Sequence, residues 1–176
     1  PTNKKEYLAM LDWSVEQNEY SVAIRVPACD FKTTGIKDIT NYSNEINKFK
    51  MAKSGEKIAI LGLGNFFYLA EKLAAEIKFK LNIDATIINP RFITGIDKEM
   101  LDNLKSNHQI IVTLEDGILS GGFGEKVASY LGKTDLKVLN YGAAKEFTDR
   151  VPIEVLYNQY RLKPELILED ITKLLK

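Results

Sequence analysis

Apolar positions along this chain follow two different regimes, which change over near residue 46. Before that point the patterning is sparse. The stretch "KKEYLAMLDWSVEQ" repeats Leu8, Leu11 and Val15 at three- and four-residue steps, which predicts a helix with that stripe turned inward. "YSVAIRVP" is short and β-branched and predicts a strand ended by Pro27. Residues 28–45 are polar and unperiodic, and read as a linker crossing between two units.

After residue 46 the pattern becomes regular. "NKFKMAK" alternates like an edge strand and turns at Ser54-Gly55. "KIAILGLG" is a continuous apolar run, expected of a strand covered on both faces of a parallel sheet. A helix over about 66–81 follows, its stripe carried by Phe66, Ala70, Leu73, Ile77 and Leu81. "DATIINP" is the next strand. Asp97 then caps a short helix that ends near Leu104, with Met100, Leu101 and Leu104 inward. "QIIVTLED" and "LKVLNYG" are two further strands, separated by the helix "GEKVASYLG", which closes on Gly132. Two last helices start near Pro152 and at Pro164. Strands alternating with helices predict an α/β fold, a three-layer αβα sandwich around a mostly parallel sheet with one antiparallel edge strand.

Composition narrows the classes of function. Lys plus Arg and Asp plus Glu both number 24, so no basic excess exists to neutralise a nucleic acid or a membrane surface. The longest charge-free apolar stretch, 58–70, is too short to span a bilayer. Cys29 is the only cysteine, which excludes an intrachain disulfide and suits a reducing cytoplasm. The missing initiator Met and a helical pattern that begins almost at once suggest a piece of a longer chain.

Several stretches bear on chemistry. Gly62-x-Gly64 begins a dinucleotide fingerprint, but Phe67 holds the third glycine's place and the next strand ends on Asn89-Pro90 without an acid, so a tight strand-to-helix turn is the better reading. "LEDG", with Asn140 downstream, faintly echoes the Gly-Asp-Gly…Asn motif that holds magnesium and thiamine diphosphate. Glu115 replaces its first glycine, however, and neighbours on a strand point to opposite faces, so Glu115 and Asp116 need not converge on one ion. Gly121, Gly122 and Gly124 sit at a helix N-terminus, where backbone N–H groups could receive an anion or where small residues could let the helix end approach its neighbour closely. His108, the sole histidine, has no catalytic partner in sequence and suits a hydrogen bond at a strand entry. Arg25, in a strand otherwise apolar, could meet a carboxylate or phosphate ligand or form a structural ion pair. No self-contained catalytic constellation emerges.

Five blocks, in order and spacing, resemble the C-terminal part of the transketolase-like thiamine-diphosphate enzymes, most of all the 1-deoxy-D-xylulose-5-phosphate synthase family. They are "SVAIRVP", "SGEKIAILGLG", "ATIINPRFITGIDKEML", "SNHQIIVTLEDGILSGGFGEKV" and "VLNYGAAKEFTDR". The resemblance implies that residues 1–27 end a pyrimidine-binding domain, that 28–45 are a linker, and that 46–176 are the transketolase-like C-terminal domain. It implies a parent transferase that decarboxylates pyruvate on thiamine diphosphate and joins the two-carbon unit to glyceraldehyde 3-phosphate, feeding isoprenoid biosynthesis. The family's cofactor and magnesium ligands lie upstream, so no catalytic, cofactor or metal residue is expected in this piece, which would be inactive alone. Expected partners are the remainder of the parent chain and a second copy in a homodimer, with no nucleic acid and no membrane.

One functional stretch of the family overlaps. Its Arg-Tyr-Pro-Arg-Gly motif, whose second arginine contacts the substrate phosphate, falls on "RVPAC". Arg25 matches the first arginine, but Ala28 stands for the second and Cys29 for the glycine. Arg25 is thus the substrate-phosphate candidate, and the acceptor sugar or aldehyde is open. Glu115, Asp116, Gly121, Gly122 and Gly124 are the candidates for a domain interface. Alternatives are the C-terminal domain of a transketolase or a 2-oxo-acid dehydrogenase β subunit, and a stand-alone interaction or small-ligand regulatory domain.

Overall fold

The computed structural model describes residues 1–28, 30–35 and 42–175. A five-stranded sheet runs through it, built from β1 (Lys50–Lys53), β2 (Lys57–Gly62), β3 (Thr86–Asn89), β4 (His108–Ile118) and β5 (Lys137–Ala143). Its spatial order is β1-β3-β2-β4-β5, with β1 antiparallel to β3 and every other pairing parallel. The sequence expectation of a mostly parallel sheet with one antiparallel edge strand therefore holds. β1 earns its edge place by being exposed at all four residues, two of them lysines, which blunts further strand pairing.

Strand alternation sorts the core into two layers. Ile58, Ile60, Ile110, Val112 and Leu114 point to the face covered by α2 (Phe67–Leu81) and α6 (Pro164–Leu174). Ala59, Leu61 and Ile111 point to the other face, beneath α3 (Lys98–Leu104) and α4 (Phe123–Leu131). The period-2 side-chain rule thus turns one apolar run into the floor of two cores. The α2 stripe buries Phe67, Ala70, Leu73 and Ile77. Asp97 caps α3 by accepting from the Met100 N–H at 3.1 Å, and it also accepts from the Phe49 N–H at 2.9 Å. A further short helix, α5 (Ile153–Gln159), starts just after Pro152 and has no buried residue. Gly132 ends α4 in a right-handed conformation, so its freedom at positive φ goes unused.

The N-terminal region departs from expectation twice. α1 (Lys4–Glu16) forms, but Leu8, Leu11 and Val15 are exposed, and the residues buried are Glu6 and Met10. Polar and aromatic contacts fix that orientation. The Glu6 carboxylate accepts from the Thr2 N–H at 2.6 Å and from Asn89 Nδ2, at the end of β3, at 2.8 Å. A buried carboxylate is costly unless its oxygens are satisfied, and the same face carries Met10, which is buried, and Trp13, which packs on Tyr42 and Phe92, so the inward stripe is Glu6, Met10 and Trp13 rather than Leu8, Leu11 and Val15. Residues 21–27, read as a strand, have no strand partner among the described residues and form none. Their β-branched side chains suit a pleated sheet, but a ladder needs a neighbour. Within the predicted linker, Cys29 and residues 36–41 lie outside the described residues, while Tyr42 is buried at 1% exposure in a short 3₁₀ turn.

His108 joins three elements at the opposite end of the sheet. Its Nδ1 lies 3.1 Å from the Leu104 carbonyl and its Nε2 2.8 Å from Thr86 Oγ1, which itself accepts from the Gly55 N–H at 2.9 Å. A carbonyl only accepts, so Nδ1 carries the proton and Nε2 accepts from the threonine hydroxyl. Burial holds the His108 pKa below its ordinary 6.5. The unfolded chain therefore takes up this proton first, and stability from His108 is lost as pH falls below about 6.5. Urea midpoints measured at pH 7.5 and 5.5 should drop with acid, and the drop should be smaller in His108→Gln.

Candidate functional site

β2 lies between β3 and β4, and the chain leaves β2 and β4 toward opposite faces, into α2 and α4. Open α/β sheets form a crevice at such a point, outside the carboxyl ends of the strands. Here the Leu63 N–H bridges to the Leu114 carbonyl at 2.9 Å, and a cavity of about 430 Å³ opens beyond it. Its walls come from Met10 and Trp13 of α1, Ile24 of the N-terminal segment, Leu63 after β2, Phe92 after β3 and Asp116 of β4. The surroundings are mainly apolar and the volume lies in the range of small-molecule sites.

The loops at this crevice are shaped by glycine where the backbone demands it. Gly64 has φ +55° in the turn after β2. A Cβ on Gly62 would stand 2.8 Å from both Ala70 Cβ and Phe67 Cα, so Gly62 permits α2 to start directly over the strand. The Gly62-x-Gly64 pair is a tight turn, as its sequence context suggested.

The acidic and glycine-rich stretch of β4 separates its two acids. Glu115 shares the odd-numbered face with Ile111 and is buried, whereas Asp116 is exposed. The Glu115 carboxylate accepts from the N–H groups of Phe123 and Gly124, both at 2.9 Å. These are the first two residues of α4, so the side chain satisfies two of the donors a helix start leaves unpaired and supplies negative charge at the positive end of its dipole. The glycines allow this approach. A Cβ at Gly122 would stand 2.6 Å from Glu115 Oε2, and one at Gly124 only 2.5 Å from Thr113 Oγ1 and 2.8 Å from Asn140 Oδ1. Gly121 makes the bend itself, with φ +73°. Of the two readings of these glycines, close approach describes the geometry, and the anion at the helix start is the protein's own carboxylate.

This arrangement does not fit a magnesium–thiamine diphosphate site. Glu115 is committed to α4, Asn140 Oδ1 accepts from Thr113 Oγ1 at 2.7 Å, and no three His, Cys, Asp or Glu side chains cluster as metal ligands among the described residues.

Arg25 reaches the crevice rim. Its Nη2 donates to the Asp116 carbonyl at 3.0 Å, and no carboxylate lies within ion-pair distance of it among the described residues. Of the two partners the sequence suggested for Arg25, the structural ion pair does not form among the described residues, and the fold joins Arg25 to the backbone of the "LEDG" stretch.

Arg91 is the functional-looking residue the sequence reading passed over. It follows β3 with φ +63°, is buried, and its Nη2 donates to Glu45 Oε2 and to the Lys48 carbonyl, both at 2.6 Å. Its guanidinium also lies over the Tyr42 ring at 5.6 Å. This clamp binds residues 42–48 to the sheet end. Burial pushes the Tyr42 phenol pKa well up, and the nearby Glu6 carboxylate adds to it. The usable signal was Arg91 set directly after a strand in "NPRF". Arg91 Nη1 and Asn65 Oδ1 are buried and meet no hydrogen-bond partner among the described residues.

Residues 47–167 match the family of transketolase C-terminal domains, and the chain belongs to that family. Among its curated relatives is a 1-deoxy-D-xylulose-5-phosphate synthase of Clostridium tetani (strain Massachusetts / E88), 33% identical over 177 residues. That match covers 99% of this chain and 28% of the relative. The synthase of Francisella tularensis subsp. holarctica (strain FTNF002-00 / FTA) is 33% identical over 182 residues, with the same two shares, 99% and 28%. The chain therefore spans 28% of the length of these relatives. A solved split-gene transketolase, described as an inactive β4 tetramer, superposes with a TM-score of 0.65 over 73% of this chain and 42% of its own. At 24% identity this likeness carries the fold alone.

Replacing Glu115 should unseat α4. Glu115→Ala is expected to cost roughly 2–4 kcal/mol in urea unfolding, because two charge-assisted bonds go and two buried donors lose their acceptor. Glu115→Gln, which keeps one acceptor oxygen, should cost about half as much. A change below about 0.5 kcal/mol in Glu115→Ala would contradict this role.

Proposed function

We propose that this chain is the C-terminal part of a thiamine-diphosphate-dependent transferase of the 1-deoxy-D-xylulose-5-phosphate synthase kind. The observation that carries the reading is 33% identity to such synthases across 99% of the chain. In the intact enzyme, pyruvate is decarboxylated on the cofactor and its two-carbon unit is joined to glyceraldehyde 3-phosphate. The product, 1-deoxyxylulose 5-phosphate, supplies isoprenoid biosynthesis. The cofactor and its magnesium are held by the remainder of the parent, and this piece alone is inactive. It works in the cytoplasm, within a homodimer, without nucleic acid or membrane. Among the described residues, no helix is long and apolar enough to cross a membrane.

Residues 1–27 are, on this reading, the last helix and strand of a pyrimidine-binding domain, 28–45 a linker, and 46–176 the C-terminal domain. Two features support that division: the exposed Leu8, Leu11 and Val15 stripe, and the strand-like but unpaired residues 21–27. Both are what elements look like when the sheet they belong to is elsewhere. Glu115 is used inside the domain, so the contact to a neighbouring domain falls to the exposed tip, with Asp116 and Gly121 beside Ile118 and Gly122 and Gly124 behind it. Arg25 is the group that addresses the substrate phosphate. Its guanidinium makes one hydrogen bond to a carbonyl and keeps other donors for an anion.

Two measurements test the proposal. Isothermal titration of this chain with thiamine diphosphate and magnesium should give no binding; micromolar affinity would count against an upstream cofactor site. The intact gene product, assayed with pyruvate and glyceraldehyde 3-phosphate against ketose donors, should release carbon dioxide from pyruvate. Transfer from ketose donors alone would replace the synthase reading with a transketolase.

A further inference from the structure

Phe147, Val151, Ile153 and Val155 place four large apolar side chains, all exposed, within residues 147–155. Scattered singly, such residues need no explanation; gathered together they mark a surface that another surface covers. The segment is well tied down. Glu146 accepts from Gln159 Nε2 at 2.7 Å and from the Tyr160 hydroxyl at 2.5 Å, which joins the bend before Phe147 to α5. The Val151 N–H donates to the Thr148 carbonyl at 3.1 Å and closes a second turn. Phe147, fully exposed, is therefore presented on a fixed loop, and α5 follows with no residue buried. An aromatic already held in place loses little freedom on docking. Phe79 is exposed too, but it stands in the last turn of α2 between Lys78 and Lys80, with the Lys80 ammonium over its ring.

We propose that this cluster is the surface on which the upstream part of the same polypeptide packs, with Phe147 as its anchor. The proposal rests on the reading of the chain as the C-terminal part of a longer parent, and it spans 28% of the length of its relatives. The place of the cluster in the fold selects the occupant. Ala143, at the end of β5, pairs with Ile118 and accepts from the Leu119 N–H at 3.0 Å, so the loop that carries Phe147 leaves the sheet beside the exposed tip of β4. On the other flank, Tyr157 of α5 meets the ring of Phe66, in the turn after β2, at 6.4 Å, and Ile153 lies one turn earlier on the same face of α5. That same turn after β2 receives the start of the chain. The Pro1 carbonyl lies 3.7 Å from where a Cβ on Gly64 would stand. Chain preceding Pro1 thus enters near α5, at the carboxyl end of the sheet, on the side where Ile153 and Phe147 are exposed.

In the intact gene product, p-benzoylphenylalanine in place of Phe147 should link on irradiation to a peptide that precedes Pro1, and the linked product should keep the mass of one chain on a denaturing gel. A link to a second copy, seen as a band of two chains, a link confined to residues 46–176, or no link at all would overturn the proposal. Phe147→Ser should speed tryptic cleavage within residues 28–45 at least about ten-fold, whereas Phe79→Ser should leave it unchanged. Equal rates in the two variants would equally overturn it. Should Phe147→Ser fail to fold, the cross-link decides alone. The cross-link reads the docking whichever donor the parent uses, so its failure is distinct from failure of the pyruvate assay that tests the synthase reading.

Discussion

The parallel pairing of β2 with β4, in register from Ile58 opposite Ile110 to Gly62 opposite Leu114, is the constraint on which the rest of this structure depends. It places two strands side by side that are separated in sequence by a helix, a strand and another helix. Both are covered on both faces, so every backbone polar group in them must be satisfied by the ladder. The chain then has to leave the two strands in opposite directions, and the crevice is the space between those departures.

Everything at the crevice follows from how those exits are secured. After β2, Gly62 and Gly64 let α2 begin without a wider loop. After β4, Glu115 holds the start of α4 through two backbone N–H groups. The carboxylate does inside the protein what a bound anion does at other glycine-rich helix starts. This resolves why the stretch resembles a phosphate or metal site without being one. Its acid and its glycines are complementary to each other, not to a ligand.

The N-terminal region is held by polar and aromatic contacts together. α1 is fixed by the buried Glu6 and its polar partners, while its apolar stripe faces water. Residues 42–48 are fixed by Arg91 and the Tyr42 ring. Aromatic packing adds to these polar contacts: Met10 is buried, and Trp13 meets the rings of Tyr42 and Phe92, which also meet each other.

The sequence by itself determined the sheet and its layers, down to the buried faces of α2 and α3 and the capping of α3 by Asp97. Those features depend on periodicity and on neighbours within a few residues, which one sequence displays. It also made the family recognisable through five ordered blocks. Only tertiary structure decided the rest. Glu115 and Asp116 are adjacent in sequence, but the pleat of β4 buries one and exposes the other. Arg25 meets Asp116 across 91 residues, and Arg91 reaches Glu45 across 46. The stripe of α1 was legible and its orientation was not, because the partners of the face it turns inward, Asn89 for Glu6 and the rings of Tyr42 and Phe92 for Trp13, lie far along the chain. Local pattern fixes what an element is; which face it turns inward depends on the partners present when the chain folds.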